Sequence, residues 1–211
     1  EPSAAVMVAS VRALKSHGGV KLRELETPNE EAVQRGLTNL EHMVGLVRSF
    51  GIPVIVAINR FPSDTPGEIA IVKEGGEAAG AYAVVESRVF AEGGAGAIEL
   101  AEALVDAVDC DDPPVTYLYP EDASLEDKVL SLARKVYGAD DVKWSPVARR
   151  QLRTYQELGW GSLPVCMAKT HLSLSHNKNL KGRPRGYAFE VSDVRASIGA
   201  GFIYPIAGTM M

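Results

Sequence analysis

The run Val54-Ile55-Val56-Ala57-Ile58 is the feature that most limits how this chain folds. Consecutive apolar residues with no polar alternation, four of the five β-branched, require a strand buried on both faces. Such strands belong to parallel sheets covered by helices. The preceding residues follow a different period. Val33, Leu37, Leu40, Val44 and Val47 recur at steps of three or four, which predicts an amphipathic helix over Asn29 to Phe50. Thr27 or Asn29 can cap it, Glu30 and Glu31 suit the positive end of its dipole, and Gly51 and Pro53 stop it. An apolar strand over Ala4 to Ala9 comes before, and a strand over Tyr82 to Val85 comes after. Helices over Thr65 to Gly80 and Ala97 to Val108 complete a βαβαβα order. That order implies right-handed crossovers and a parallel sheet.

Near Asp111-Asp112-Pro113-Pro114 the composition shifts, which places a boundary there. The reading is α/β overall: a parallel α/β segment over 1–112, then an α+β segment over 113–211 with a smaller mixed or antiparallel sheet. In the second segment, helices are expected over Ser124 to Tyr137 and Ser145 to Leu158, each with a serine cap. Strands are expected over Leu163–Ala168, Tyr187–Val191 and Phe202–Ala207. The loop from Lys169 to Gly186 is long and basic, and loops of that length usually carry function.

Composition removes several function classes. The net charge of −5 argues against a nucleic-acid partner, whose binding surface is usually basic. No apolar run approaches the roughly 20 residues a membrane span needs. Cys110 and Cys166 supply neither a disulfide framework nor metal-ligand spacing, so a reducing cytoplasmic compartment is expected. Cys166, in mid-strand, reads as a buried inert thiol. His171 and His176 lack a nearby acid or cysteine, and no metal site is expected. No G-x-S-x-G elbow and no G-x-G-x-x-G turn occurs, which disfavours a hydrolase and a Rossmann dehydrogenase.

Open parallel sheets bind ligands at the carboxyl ends of their strands. After the first strand, Arg12, Lys15 and His17 lie in a basic stretch ending in Gly18-Gly19, either a solvated turn or an anion patch. Asn59-Arg60-Phe61-Pro62 follows the buried strand and Phe90-Ala91-Glu92-Gly93-Gly94 the next. Two aromatics at adjacent strand ends can sandwich a flat heterocycle, or each can simply fill the core. Lys169, Thr170, Ser173 and Ser175 open the long loop with a cation and hydroxyls, suited to polar, anionic groups.

Five blocks carry a resemblance: Val8-Ala9-Ser10-Val11-Arg12-Ala13-Leu14-Lys15-Ser16-His17-Gly18-Gly19, Val56 to Thr65, Phe90 to Gly96, Leu163 to His171 and Ser192 to Ile203. In that order they resemble blocks of the formate–tetrahydrofolate ligase (10-formyltetrahydrofolate synthetase) family. The resemblance implies an ATP-dependent ligase of one-carbon metabolism. It formylates tetrahydrofolate with formate through formyl phosphate, with ATP and Mg and small-molecule substrates; a homo-oligomeric full-length enzyme is compatible with the resemblance, which does not fix the oligomeric state. It implies that Phe61 and Phe90 stack on the pterin, although the family usually has Trp where Phe90 stands. Asn59, Pro62, Glu92 and Gly93 are then folate-side residues. Lys169, Thr170, Ser173 and Ser175 are nucleotide-side, and Arg12, Lys15 and His17 are an anion patch. No catalytic side chain is assigned. The family's P-loop has no counterpart, since no G-x-x-x-x-G-K-[ST] string occurs. With no initiator Met, and Met210-Met211 directly after a strand, the expectation is a C-terminal portion lacking the P-loop, inactive alone. The alternative is a non-catalytic ligase-derived domain that binds folate or nucleotide, or a structural module.

Overall fold

The strand Ala5–Ala9 (β1) leads straight into a helix, Val11–His17 (α1). The sequence reading made this stretch a basic turn. The structure corrects it: the Ser10 side chain accepts from the Ala13 N–H at 3.2 Å and caps the helix, while Val11 and Leu14 bury. Then come α2 (Glu30–Arg48), β2 (Val54–Asn59), α3 (Pro66–Ala78), β3 (Ala83–Ser87), a short α4 (Val89–Glu92) and α5 (Ile98–Val108). The computed structural model describes residues 2–109 and 114–208, and the chain divides into two units, Glu1–Thr116 and Tyr117–Met211. Cys110, the chain ends and the 112/113 boundary expected from composition lie outside the described residues.

The first unit is built on β2. It pairs in parallel with β1 on one side and β3 on the other, and Val54 to Ile58 are buried throughout, as the unalternating run requires. On one face, Val54, Val56 and Ile58 pack with Val33, Leu37, Leu40 and Val44 of α2 and Ile69 and Val72 of α3. α5 packs on β2 and β3. Of the two caps expected for α2, Asn29 is the one used, and α3 opens on a cap the sequence reading did not name. Asn29 accepts from the Ala32 N–H at 2.9 Å, and Thr65 with Glu68 forms a reciprocal capping box on α3.

The helices α1 and α2 meet backbone to backbone. A Cβ on Gly36 would lie 2.1 Å from the Leu14 carbonyl oxygen, and one on Gly18 would lie 2.0 Å from that of Ala32. Only glycine permits this approach.

The second unit holds α6 (Leu125–Lys135), β4 (Asp141–Trp144), α7 (Pro146–Glu157), β5 (Ala188–Ser197) and β6 (Phe202–Ala207). Its sheet is mixed: β4 pairs with β5 in parallel and β5 with β6 antiparallel. β4 escaped the sequence reading, and β5 is longer than expected. The expected strand over Leu163–Ala168 forms only isolated bridges alongside β6, at Val165 with Ile203 and Ala168 with Ile206. Pro164 and Pro205 lack N–H donors, which breaks a continuous ladder there. Val165 faces the core and Cys166 is exposed, so the expectation of a buried thiol is corrected. Lys128 is wholly buried, its ammonium donating to the carbonyls of Gly161 at 2.9 Å and Leu163 at 3.3 Å.

Two alanine substitutions on α2 test the close crossing. Gly36→Ala forces backbone apart and is expected to destabilise by about 1–3 kcal/mol. Gly45→Ala meets nothing within 4 Å and is expected to stabilise by up to about 1 kcal/mol. Urea unfolding of both variants checks the difference in sign.

Candidate functional site

The carboxyl edge of the parallel sheet gathers the first unit's candidate residues. Asn59 at the end of β2 pairs with Ser87 at the end of β3, and the Arg60 N–H donates to the Ser87 carbonyl at 3.2 Å. The loops carrying Phe61 and Phe90 therefore leave from neighbouring strand ends. Phe61 is half-buried, with the Arg12 guanidinium 5.1 Å above its ring centroid. Arg12 also reaches Glu26 at 3.6 Å. Phe90 is 94% exposed, so it is no core residue. It rides on α4, which ends at Gly93 with a φ of 60°. Asn59 is half-buried, while Pro62, Glu92 and Gly93 are exposed. Arg88 pairs with Glu92 at 3.6 Å, and Arg60 with Glu86 at 2.7 Å.

Beneath this edge lies a cluster of ionisable groups. Lys15 was grouped with Arg12 and His17 as an anion patch, but its side chain has no exposed surface. Its ammonium stands 3.0 Å from the equally buried carboxylate of Glu68 and donates to the Thr27 carbonyl at 3.2 Å. The charge is spent inside the protein, and the anion patch loses its middle member; Arg12 and His17 are half-buried. Glu68 also accepts from the Asn29 N–H at 2.8 Å, the Thr65 N–H at 3.0 Å and the Thr65 hydroxyl at 3.1 Å. Burial works to raise its pKa, but the Thr65 and Asn29 amides and Lys15 overcome it and hold the group below the usual Glu value. Next to it, Asp64 is pushed the other way, chiefly by burial. One of its oxygens, Oδ1, is buried without a hydrogen-bond partner. Sequence reasoning missed both Asp64 and Glu68; the one local signal available was Thr65 followed three residues later by Glu68, the spacing of a capping box.

The second unit has a cavity of about 880 Å³ beside β4 and β5. Trp144, Lys143, Lys169, Thr170, Lys178 and His176 line it. Lys169 commits two of its donors within its own loop, to the Thr170 carbonyl at 2.7 Å and to the Ser173 carbonyl. It lies 5.3 Å over the Tyr137 ring, and burial lowers its pKa. Burial raises Tyr137 to about 12. Ser173 and Ser175 depart from the sequence expectation. Both are buried, share a hydrogen bond at 3.0 Å, and serve the Leu180 and Asn177 carbonyls rather than the cavity. His176 accepts from the Glu190 N–H at its Nδ1, 3.3 Å away. Burial lowers its pKa against the pull of Glu190, so the ring is neutral at physiological pH. Glu190 is held ionised by Lys143 at 2.8 Å.

Among the described residues no group of three or more His, Cys, Asp or Glu side chains is placed to hold a metal ion, and no helix is long and apolar enough to cross a membrane.

A model of the formate–tetrahydrofolate ligase family matches residues 1–211. The formate–tetrahydrofolate ligase of Roseiflexus sp. (strain RS-1) is 50% identical over 216 residues, which cover 98% of this chain and 38% of that protein. In Saccharomyces cerevisiae, the mitochondrial C-1-tetrahydrofolate synthase is 45% identical over 214 residues, covering 98% of this chain and 22% of the relative. The cytoplasmic one is 44% identical over 216 residues, with the same coverage of each chain. The chain thus spans 38% of the length of the bacterial ligase it matches.

The buried pair gives a direct test. Lys15→Met strands the Glu68 carboxylate without a countercharge and is expected to cost about 3–5 kcal/mol of stability, with Lys15→Met/Glu68→Gln recovering part of it. The contribution of Glu68 is fully present above its ordinary pKa of 4.5 and is lost as pH falls through the lower folded value. Glu68→Gln is therefore expected to flatten the acid limb of a melting-temperature profile.

Proposed function

The chain belongs to the formate–tetrahydrofolate ligase family, and from that premise we propose that it forms part of an ATP-dependent enzyme that formylates tetrahydrofolate with formate. In this reading ATP phosphorylates formate, and N10 of tetrahydrofolate attacks the formyl phosphate, expelling phosphate. These residues supply positioning and charge stabilisation rather than a nucleophile.

The observation that carries the reading is the exposure of Phe90 at a strand end next to that of Phe61. A phenylalanine 94% exposed contributes almost nothing to the fold. On a strand end beside a second ring it is suited to a flat, partly apolar ligand, and the pterin of tetrahydrofolate has that chemistry. Asn59 and Pro62 flank the first ring, Glu92 and Gly93 the second. The 880 Å³ cavity of the second unit has the size of a small-molecule site, and its lysines suit an anion. We assign it to the nucleotide, with Lys169 and Thr170 on its wall. Ser173 and Ser175 hold the loop behind it.

No P-loop string lies in these 211 residues, and among the described residues no group of three or more His, Cys, Asp or Glu side chains is placed to hold a metal ion. The phosphate cradle and any magnesium are therefore assigned to the remaining length of the ligase. A reducing, cytoplasmic setting suits the exposed Cys166 thiol.

The test is tetrahydrofolate kinetics of the full-length protein. Phe90→Ala is expected to raise the tetrahydrofolate KM by roughly one to two decades, the worth of an aromatic stack. Phe90→Trp is expected to match or improve on the parent. The melting temperature should change little, because truncating an exposed ring leaves no sealed cavity. A Phe90→Ala variant with unchanged KM overturns the platform. The 211-residue chain alone is expected to release no ADP from ATP in the presence of formate and tetrahydrofolate; ADP release would place the phosphate site within it.

A further inference from the structure

Phe61 is held at both of its backbone polar groups by one residue. Its N–H donates to Asp64 Oδ2 at 2.8 Å, and its carbonyl accepts from the Asp64 N–H at 3.0 Å. Asp64 itself is only 6% exposed. A residue chosen for stability alone would not leave Oδ1 buried and unpartnered, because a buried carboxyl oxygen without a donor is an uncompensated loss. The next residue is fixed as firmly: Thr65 caps α3, and Glu68, anchored by Lys15, binds the Thr65 N–H and hydroxyl. The turn from Phe61 to Thr65 is thus clamped at its start by Asp64 and at its end by Glu68.

Resting on the folate reading of the preceding subsection, we propose that Asp64 is a positioning residue for tetrahydrofolate. By gripping the Phe61 backbone, it fixes the height and angle at which the ring stands at the sheet edge. The feature that matters is the acceptor oxygen at the Phe61 N–H, at the length of an aspartate side chain. Asp64 touches no substrate; it acts through Phe61. A small displacement of a positioning element is enough to cost up to about a hundredfold. The unpartnered oxygen is then the by-product of a carboxyl retained for geometry.

The experiment is steady-state kinetics of the full-length protein, with the KM for tetrahydrofolate and for ATP measured side by side. Asp64→Ala removes the clamp and is expected to raise the tetrahydrofolate KM roughly tenfold or more, with the ATP KM within about twofold. Asp64→Asn keeps an acceptor of the same length and is expected to stay within about threefold of the parent. Should Asp64→Ala fail to fold, Asp64→Glu carries the test. Its carboxylate is one methylene too long, and it should raise the tetrahydrofolate KM selectively. The decisive readout is a double-mutant cycle. In a Phe61→Leu background, Asp64→Ala should add little to the tetrahydrofolate KM, because the ring it positions is gone. Undiminished effects in that background, equal rises in both KM values, or no change in either would overturn the proposal. Phe61→Leu alone leaving the tetrahydrofolate KM unchanged would instead overturn the folate platform, whatever Asp64 does.

Discussion

The carboxyl edge of the parallel sheet depends on one buried ion pair. Lys15 and Glu68 stand 3.0 Å apart with no exposed surface on either side chain. Two charges in that position are an expense unless their remaining valences are filled. Here they are filled by groups that need fixing in any case: the Thr27 carbonyl, the Asn29 N–H at the start of α2, and the N–H and hydroxyl of Thr65 at the start of α3. The pair therefore ties α1, α2 and α3 together at the edge where ligands bind in open α/β sheets. The glycine contact between α1 and α2 makes this geometry possible. It lets the two backbones approach closely enough for a lysine on one helix to reach the capping network of the others.

The second unit solves a similar problem without a direct ion pair among its described residues. Lys128 is buried and holds the carbonyls of Gly161 and Leu163, its ammonium 5.8 Å over the Tyr119 ring. Burial lowers its pKa, and the acidic residues Glu121 and Asp122 only partly oppose that. The Tyr119 hydroxyl accepts the Val165 N–H at 3.0 Å, so lysine and tyrosine together seat the irregular 161–165 segment against the sheet. That segment then runs into Lys169, at the wall of the cavity. In both units a buried lysine is committed to backbone carbonyls rather than to solvent.

What the sequence made legible was whatever depends on period and caps. The unbroken Val54–Ile58 run is a central parallel strand, and Asn29, Thr65, Ser124 and Ser145 cap the helices expected after them. The elements it missed are those too short for a period to emerge: α1 with seven residues, and α4 and β4 with four each. The pairing of Leu163–Ala168 was overstated because apolar content speaks to burial and not to whether prolines leave donors for a ladder. The candidate residues divided by a related rule. Phe61 and Phe90 could be placed because strand ends set their position. Lys15, Ser173 and Ser175 could not, since a charged or hydroxyl side chain near a site reads the same whether it faces ligand or holds the backbone behind it. Only the partner decides, and Glu68 lies 53 residues away from Lys15 in sequence.

The two rings at the sheet edge differ in how they are held, and that difference follows from the same accounting of polar groups. Phe61 sits in a turn whose N–H and C=O are both satisfied by Asp64 and whose ring lies under the Arg12 guanidinium. Phe90 sits on a helix of four residues with none buried, closed by a glycine in a conformation other residues avoid and followed by Gly94, around which a Cβ would meet nothing within 4 Å. One ring is fixed by the fold before any ligand arrives. The other is attached to a segment with little core of its own, and segments of that kind open at low cost. In the proposed site, a flat guest stacked against the fixed face would offer the exposed ring an apolar surface that the fold does not supply. In the proposed folate site the strand ends set where both rings stand, the buried pair fixes the turn behind Phe61, and the segment that carries Phe90 has little core to hold it.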